Sequence, residues 1–444
     1  MGSLLEFVFA LAVFLFLGWL VFHQLKWGRA WLSLAWLWFI YSAKVFAGLA
    51  LIAVYTFYHT DRDTADIFKY FDDALVIQQH TSNNLSARWS LIAGISLPDS
   101  LDTEFTQGTK NWLEKDESWK SFSKTADFNF FHSNRFITRI HLMLFPITGK
   151  NIYLHSIFFS LISLWGGLLF FRLFAQQKLV SQTIAVILVF LLPSTLLWCS
   201  GMLKDTITLA AIEIGIYLLY SQAFAFRFWY KFIPIIAILA LCKYYVLPAL
   251  LVLIIYVWLS NSNWSAYKSL LFTLGICLMV LVLPYLFDGI PNAIHILNAK
   301  RAESLKIAVL GDTNDYVFYH FGELNWVSII KDMIYSAYAS LFYPSFPAQT
   351  SNKLGLLFMF ENWMLWSLVI YFSYRHVKLA MKWKSLTWGM ALFSIVLALI
   401  IGYTTPVTGG LLRYKTAFWS LLFTAIVLGW ETKNNQIKQK PISQ

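Results

Sequence analysis

Long apolar runs recur along this chain, near 4–22, 30–58, 151–172, 182–200, 206–226, 232–259, 269–287, 355–374, 385–402 and 416–430, and they constrain the fold more than any other feature. A run of about 20 such residues spans hydrocarbon only as a helix, because no water is present there to satisfy its backbone groups. The chain is therefore expected to be an all-α polytopic membrane protein with about 10–12 spans. Composition agrees: of 444 residues 58% are hydrophobic and only 13% charged, with a mean hydropathy of +0.60. Soluble chains carry about 25% charge. The net charge of +11 reports loop topology rather than a nucleic-acid partner. Cys199, Cys242 and Cys277 lie in or beside apolar runs without metal-ligand spacing and are expected to pack in the core. Residues 4–22 lack a basic n-region and a small-residue cleavage site, which predicts a retained first span.

Basic residues set the expected topology. Lys26 and Arg29, Arg172 and Lys178, Arg227 and Lys231, Arg375 to Lys384, and Lys433 to Lys440 fall in alternate loops, which the positive-inside rule makes cytoplasmic. The N-terminus and residues 59–150 then face outward. The run 232–259 contains Lys243 and Pro248 and reads either as one helix or as two shorter legs; the broken form is preferred and puts 288–326 outside. Trp326 to Pro347 mixes Lys331 and Asp332 with aromatic residues, as an interfacial amphipathic helix would. With no repeat or long linker evident, residues 1–444 are expected to form a single integral membrane domain whose 59–150 loop is partly helical.

That loop opens with the densest acidic run of the chain, HTDRDTADIFKYFDDA at 59–74. Asp61 and Asp63 form a D-x-D in which paired carboxylates can take a proton from a hydroxyl, or hold a divalent ion such as Mg or Mn beside a phosphate. Thr64 or Asp63 is expected to cap a helix whose apolar stripe is Ile67, Phe71, Ala74 and Ile77. Asp66, Lys69, Tyr70 and Asp73 form the neighbouring polar stripe, expected to turn its acids toward a cleft. The polar middle, about 82–127, is assigned no chemistry. A second amphipathic helix at 129–145 places Arg135 and Arg139 four residues apart.

Three further places can carry chemistry. PSTLLWCSGMLKD at 193–205 sets Gly201, Lys204 and Asp205 at an outward turn, where Lys204 suits a lipid phosphate. TTPVTGGLLRYKTAF at 404–418 offers Arg413 and Lys415 on the outer side, against the usual charge bias. Lys44, Glu213, Lys243 and Glu361 lie inside apolar spans, where charge marks either function or a pair joining helices. His132, His141 and His155 near the loop's return are either acid–base groups or polar anchors.

These motifs resemble those of the GT-C class of membrane glycosyltransferases and of related bacterial polysaccharide polymerase-like membrane proteins. The acidic run resembles the class's first-loop acidic motif, and 193–205 is similar to a Pro…Trp-Ser-Gly…Lys-Asp pattern in bacterial exopolysaccharide proteins. LFYPSFPAQTSNKLGLLFMFEN at 341–362 and GGLLRYKTAF resemble two further segments. The chain departs from the class in having two spans before its acidic loop. The resemblance implies transfer of a sugar from a polyprenyl-phosphate donor to a glycan or lipid acceptor, at the outer face of a bacterial inner (plasma) membrane. Asp61, Asp63 or Asp66 would activate the acceptor; Tyr70, Asp73, Lys204, Asp205, Arg413 and Lys415 would contact substrate. A transporter or flippase for a lipid-linked glycan, or a polymerase or export subunit, is the alternative expectation.

Overall fold

The computed structural model describes residues 4–57, 62, 65–93, 108–109, 112, 133–175, 182–221, 226–262, 264–286, 292–310, 326–349, 353–376 and 385–431. Among them the regular structure is helical, with no strand, as expected of an all-α polytopic membrane protein. Asp61, Asp63, Thr64 and His132 lie outside the described residues.

Six helices among the described residues are long and apolar enough to cross a membrane: Leu4–Gln24, Leu34–Phe57, Ile152–Ala175, Phe228–Asn261, Lys353–Tyr371 and Ser385–Thr404. A bent pair, Thr408–Tyr414 with Thr416–Leu428, makes a seventh if taken as one span. Among the described residues three of the expected runs do not pass as spans of their own. The run 182–200 breaks before Pro193, whose missing N–H and ring interrupt the ladder. The run 206–226 starts instead at Lys204 and carries three charges, Lys204, Asp205 and Glu213. In the run 269–287 the apolar stretch among the described residues, Ala266–Val280, is shorter than a span.

By backbone contacts the chain divides into two compact units, residues 1–169, 196–215 and 230–244 in one and 170–195, 216–229 and 245–444 in the other. In the first, α1 (Leu4–Trp19) continues through a wider turn to Gln24, and α2 (Leu34–Phe57) precedes α3 (Asp66–His80) and α4 (Leu85–Ala93). Then follow α5 (Ser133–Thr148) and α6 (Ile152–Ala175). The expected apolar stripe of α3 is buried at Ile67, Phe71, Ala74 and Ile77, and it packs against α5. The neighbouring stripe is not an open polar face, because Tyr70 and Asp73 are buried too. Ala65, without a side-chain cap, occupies the N-cap position expected for Thr64 or Asp63. Gly48 lets α2 approach α6 closely: a Cβ there would lie 2.5 Å from Ser156 Oγ and 3.0 Å from the Ser200 carbonyl.

Next along the chain are the short α7 (Gln182–Val186) and α8 (Pro193–Trp198), then α9 (Lys204–Ser221). The run 232–259 comprises α10 (Phe226–Lys243) and α11 (Leu247–Asn261), continuous through a 3₁₀ turn at Tyr244–Val246. The preferred expectation of a broken pair is not met: Phe228–Asn261 runs as one helix of spanning length, tightened at the 3₁₀ turn between Lys243 and Pro248. The second unit continues with α12 (Ala266–Leu286), α13 (Ala293–Leu310), α14 (Trp326–Phe342), α15 (Lys353–His376), α16 (Ser385–Thr404), α17 (Thr408–Tyr414) and α18 (Thr416–Glu431).

Helix α16 organises this second unit, packing on α11, α13, α14 and α18. It is apolar and buried around most of its circumference, as a helix surrounded by others must be. It meets α14 closely at Gly402, where a built Cβ would collide with the Ser336 carbonyl. The outer face of α14 exposes Val327, Ile330 and Ile334, so its amphipathicity is apolar toward the surroundings. Gly402→Ala should destabilise the protein by about 1–3 kcal/mol through overpacking, read as a lowered thermal midpoint. Gly275→Ala on α12, where no atom lies within 4 Å of the built Cβ, should leave the midpoint unchanged or raised. Equal midpoints for the two variants would refute the tight α14–α16 crossing.

Candidate functional site

In the first unit, three helix N-termini bring the loop and the 193–205 motif together. Tyr70 stands on the first turns of α3, Asn134 opens α5, and Lys204 opens α9. The Lys204 ammonium donates to Ser133 Oγ (3.0 Å) and Asn134 Oδ1 (2.5 Å), and lies 4.9 Å from the Tyr70 ring centroid. The Tyr70 hydroxyl donates to the same Asn134 oxygen at 3.1 Å and sits 3.4 Å from Asp66 Oδ1. Lys69 completes the group, 2.6 Å from Asp66 and 5.1 Å from the Tyr70 ring. Among the described residues two ammonium groups thus flank one aromatic ring beside the Asp66 carboxylate. The Asp66 and Lys69 side chains are 23% and 19% exposed, so this end of the group is reachable.

A buried ion pair lies next along α9. Asp205 joins Lys243, the last residue of α10, and both side chains are almost fully enclosed. A buried carboxylate or ammonium alone would be very costly, and the pair holds only because each offsets the other. Asp205 is therefore the partner of the intramembrane lysine. Cys242, the neighbour of Lys243, is buried and joins the apolar cluster of Ile67, Tyr70, Ile137 and Leu203.

Asp73 faces a different task from that expected of it. Its Oδ2 accepts the backbone N–H of Trp112 at 2.6 Å, while Arg135 Nε donates to the Trp112 carbonyl at 2.6 Å. The guanidinium carbons of Arg135 and Arg139 each lie 5.6 Å from the Trp112 ring. Asp72 binds Arg62 through two 2.7 Å hydrogen bonds. Among the described residues no group of three or more His, Cys, Asp or Glu could hold a metal ion. Asp66, paired with Lys69, is not a metal cradle by itself.

The loop's return carries a buried histidine pair. Thr148 Oγ1 has a single proton and donates it to a carbonyl, Leu144 O at 2.9 Å being the nearer, so it accepts from His155 Nε2 at 2.7 Å. His155 Nδ1 is then the acceptor of the 2.9 Å bond from His141 Nδ1, and His141 Nε2 keeps a buried lone pair with no partner among the described residues. Burial above all, then the adjacent His155 ring, holds the His141 pKa well below its ordinary 6.5.

The remaining intramembrane charges are also matched within their own units. Lys44 donates to Ser163 Oγ at 2.7 Å and lies close enough to Glu213 for their charges to interact. In the second unit Glu361 accepts both the N–H and the hydroxyl of Ser194, each at 2.7 Å. Lys415, almost fully buried, donates to the Tyr343 carbonyl and Asn362 Oδ1, both at 3.0 Å, and lies 4.0 Å from the Trp419 ring centroid. Asn362 Nδ2 also holds the Tyr343 and Pro344 carbonyls, and the Tyr343 hydroxyl is 3.2 Å from Thr408 Oγ1. Parts of the motifs at 193–205, 341–362 and 409–418 therefore meet at one buried polar junction. Arg413 is partly buried on α17.

Of the sequence-derived candidates, Asp66, Tyr70 and Lys204 are gathered in one cluster, with Asp205 beside it on α9. Arg413 and Lys415 belong to the other unit, and Asp73 to the Trp112 clasp. Sequence reasoning passed over Ser133 and Asn134, because nothing in NFFHSNRF marks a polar helix start as a lysine partner. It passed over Ser194 and Asn362 as well, although Asn362 adjoins the marked Glu361.

Two outcomes follow. His141 is neutral in the fold but takes a proton below about pH 6.5 when unfolded. Its contribution to stability is thus intact above that pH and lost as pH falls through it, by at most about 1.4 kcal/mol per pH unit. Thermal melts from about pH 8 to about pH 5 should show this slope, and His141→Gln, which keeps a donor toward His155, should flatten it. An unchanged slope would clear His141. Asp205→Asn, which strands Lys243, should cost about 3–5 kcal/mol, and adding Lys243→Met should recover part of that loss. Additive losses in that double-mutant cycle would show the pair to be uncoupled.

No family model, curated protein or solved structure matches the chain.

Proposed function

We propose that the chain is a glycosyltransferase of the bacterial inner membrane that moves a sugar from a polyprenyl-phosphate donor to a glycan or lipid acceptor. The observation that carries this reading is the first-unit cluster, in which Lys69 and Lys204 flank Tyr70 beside the reachable carboxylate of Asp66. The cluster follows the span Leu34–Phe57 along the chain. The positive-inside bias supports an extracytoplasmic 59–150 loop.

In this reading the acceptor hydroxyl attacks the anomeric carbon and gives its proton to Asp66. The bond from that carbon to the phosphate oxygen breaks in the same displacement, inverting the centre. Lys204, aimed by Asn134 and Ser133, meets the charge that develops on the departing phosphate, where preorganised cations contribute most to rate. Lys69 tempers Asp66 and adds a second cation. Asp61 and Asp63 remain alternative bases, and Arg413 and Lys415 are assigned to substrate binding on their chemistry alone. The buried Lys44 and Glu213 favour a second reading, a flippase for a lipid-linked glycan, since carriers place ionisable groups within their spans.

Membrane vesicles supplied with a panel of prenyl-phosphate-linked hexoses test the two readings. Asp66→Asn should lower transfer by about 10²–10⁴-fold with donor binding retained. Lys204→Met should weaken donor binding as well as turnover. Full turnover in Asp66→Asn would remove it as the base, and glycan translocation without any transfer would favour the flippase.

A further inference from the structure

The connection between the first two spans is built more tightly than a linker needs to be. The wide turn that ends the first span closes at Leu25, and Lys26 follows it with φ at +53°. That left-handed position past a helix end is ordinarily taken by glycine or asparagine, because a Cβ there crowds the backbone. Gly28, at φ +71°, packs so closely that a built Cβ would lie 2.8 Å from Leu37 Cδ2 and 3.1 Å from Leu168 Cδ2. Trp27 stacks on Trp165 of α6, with ring centroids 6.2 Å apart and planes at 24°. The Arg29 N–H donates to the Lys26 carbonyl at 3.3 Å, closing a four-residue turn that holds the two Cα atoms within about 7 Å. Both the Lys26 and Arg29 side chains are exposed, and neither has a hydrogen bond or ion pair among the described residues.

We propose that Lys26 and Arg29 clasp the phosphate of an anionic phospholipid at the membrane face where this turn emerges. The fold supplies the place. Residues 25–33 join Leu4–Gln24 to Leu34–Phe57, two helices of spanning length, so the turn lies at a bilayer surface. Charge selects the ligand, since two cations on one short turn suit a phosphodiester set between them, and a lipid headgroup presents that group at a bilayer surface. Trp27 and Trp165, 36% and 45% exposed, offer indole faces to the lipid below the headgroup, as interfacial tryptophans do. A loop that only reversed the chain would take glycine at position 26. Complementing the helix dipole does not require this backbone either, because a lysine in the last helical turn does so without a left-handed φ. What the strained position adds is a cation placed beyond the helix end, on the same turn as Arg29. This site does not depend on the Lys204 cluster or on the transfer reaction.

A phosphatidylglycerol analogue with a photoactivatable headgroup, present at low fraction in phosphatidylcholine nanodiscs that hold the full chain, tests the proposal by peptide mapping. It should mark residues 24–33, and a matched phosphatidylcholine analogue should mark them far less. Lys26→Gly, which also relieves the left-handed backbone, and Arg29→Gln should each lower the phosphatidylglycerol mark about fivefold, the effect of one cation at a membrane surface. Lys26→Arg keeps the charge and should keep the mark. Both side chains are exposed, so neither substitution opens a cavity in the fold. Inorganic phosphate in excess should not displace the analogue. Equal marking by the two lipids, an undiminished mark in either neutral variant, or displacement by phosphate would each overturn the assignment.

Discussion

A charge carried into an apolar interior has to find its counterpart there, and the Asp205–Lys243 pair is the contact on which the first unit's chemistry rests. It ties the first turn of α9 to the last residue of α10. With α9 anchored in this way, the adjacent Lys204 is held at the helix start. There it meets Asn134 and the Tyr70 ring. A 3₁₀ turn at Tyr244–Val246 follows directly after the paired lysine.

The same rule shapes the second unit with different residues. Lys415 is a cation buried to the same degree as Lys243, yet what directly binds its ammonium is uncharged: a backbone carbonyl and the Asn362 amide oxygen. Glu361, next to Asn362, is answered by Ser194. Such contacts fix the irregular stretch 343–349 against α15 and α17, where a loop without side-chain partners would leave carbonyls unsatisfied in an apolar setting. The α14–α16 crossing at Gly402 works by shape alone, because only the missing Cβ allows the Ser336 carbonyl to come so close.

Burial also alters what individual polar residues can do. Asp73 lies one helical turn from Tyr70 and would serve equally well as a ligand contact by spacing. Its carboxylate is consumed by the Trp112 N–H, and Arg135 and Arg139 close over the same tryptophan. Asp66, three residues before Lys69, keeps a reachable face. The two aspartates differ in environment, not in chemistry.

Much of this was legible in the amino-acid order. Apolar runs of spanning length dictate helices, since hydrocarbon leaves the backbone no other partner. The stripe Ile67, Phe71, Ala74 and Ile77 announced α3 and its buried side. Lys243 and Pro248 marked the place of the 3₁₀ turn in the run 232–259, though not a break into two legs. Lys44, Glu213, Lys243 and Glu361 stood out as charges that would need partners. The identities of those partners were not legible, because Ser163, Asp205, Ser194 and Asn134 lie up to 167 residues from the groups they meet. Nor was the pairing of Asn298 with Tyr403 and of Arg301 with Asp332. Local periodicity reports which face of a helix is apolar. Which polar groups meet across helices is set by how the helices pack, and only the tertiary structure decided that.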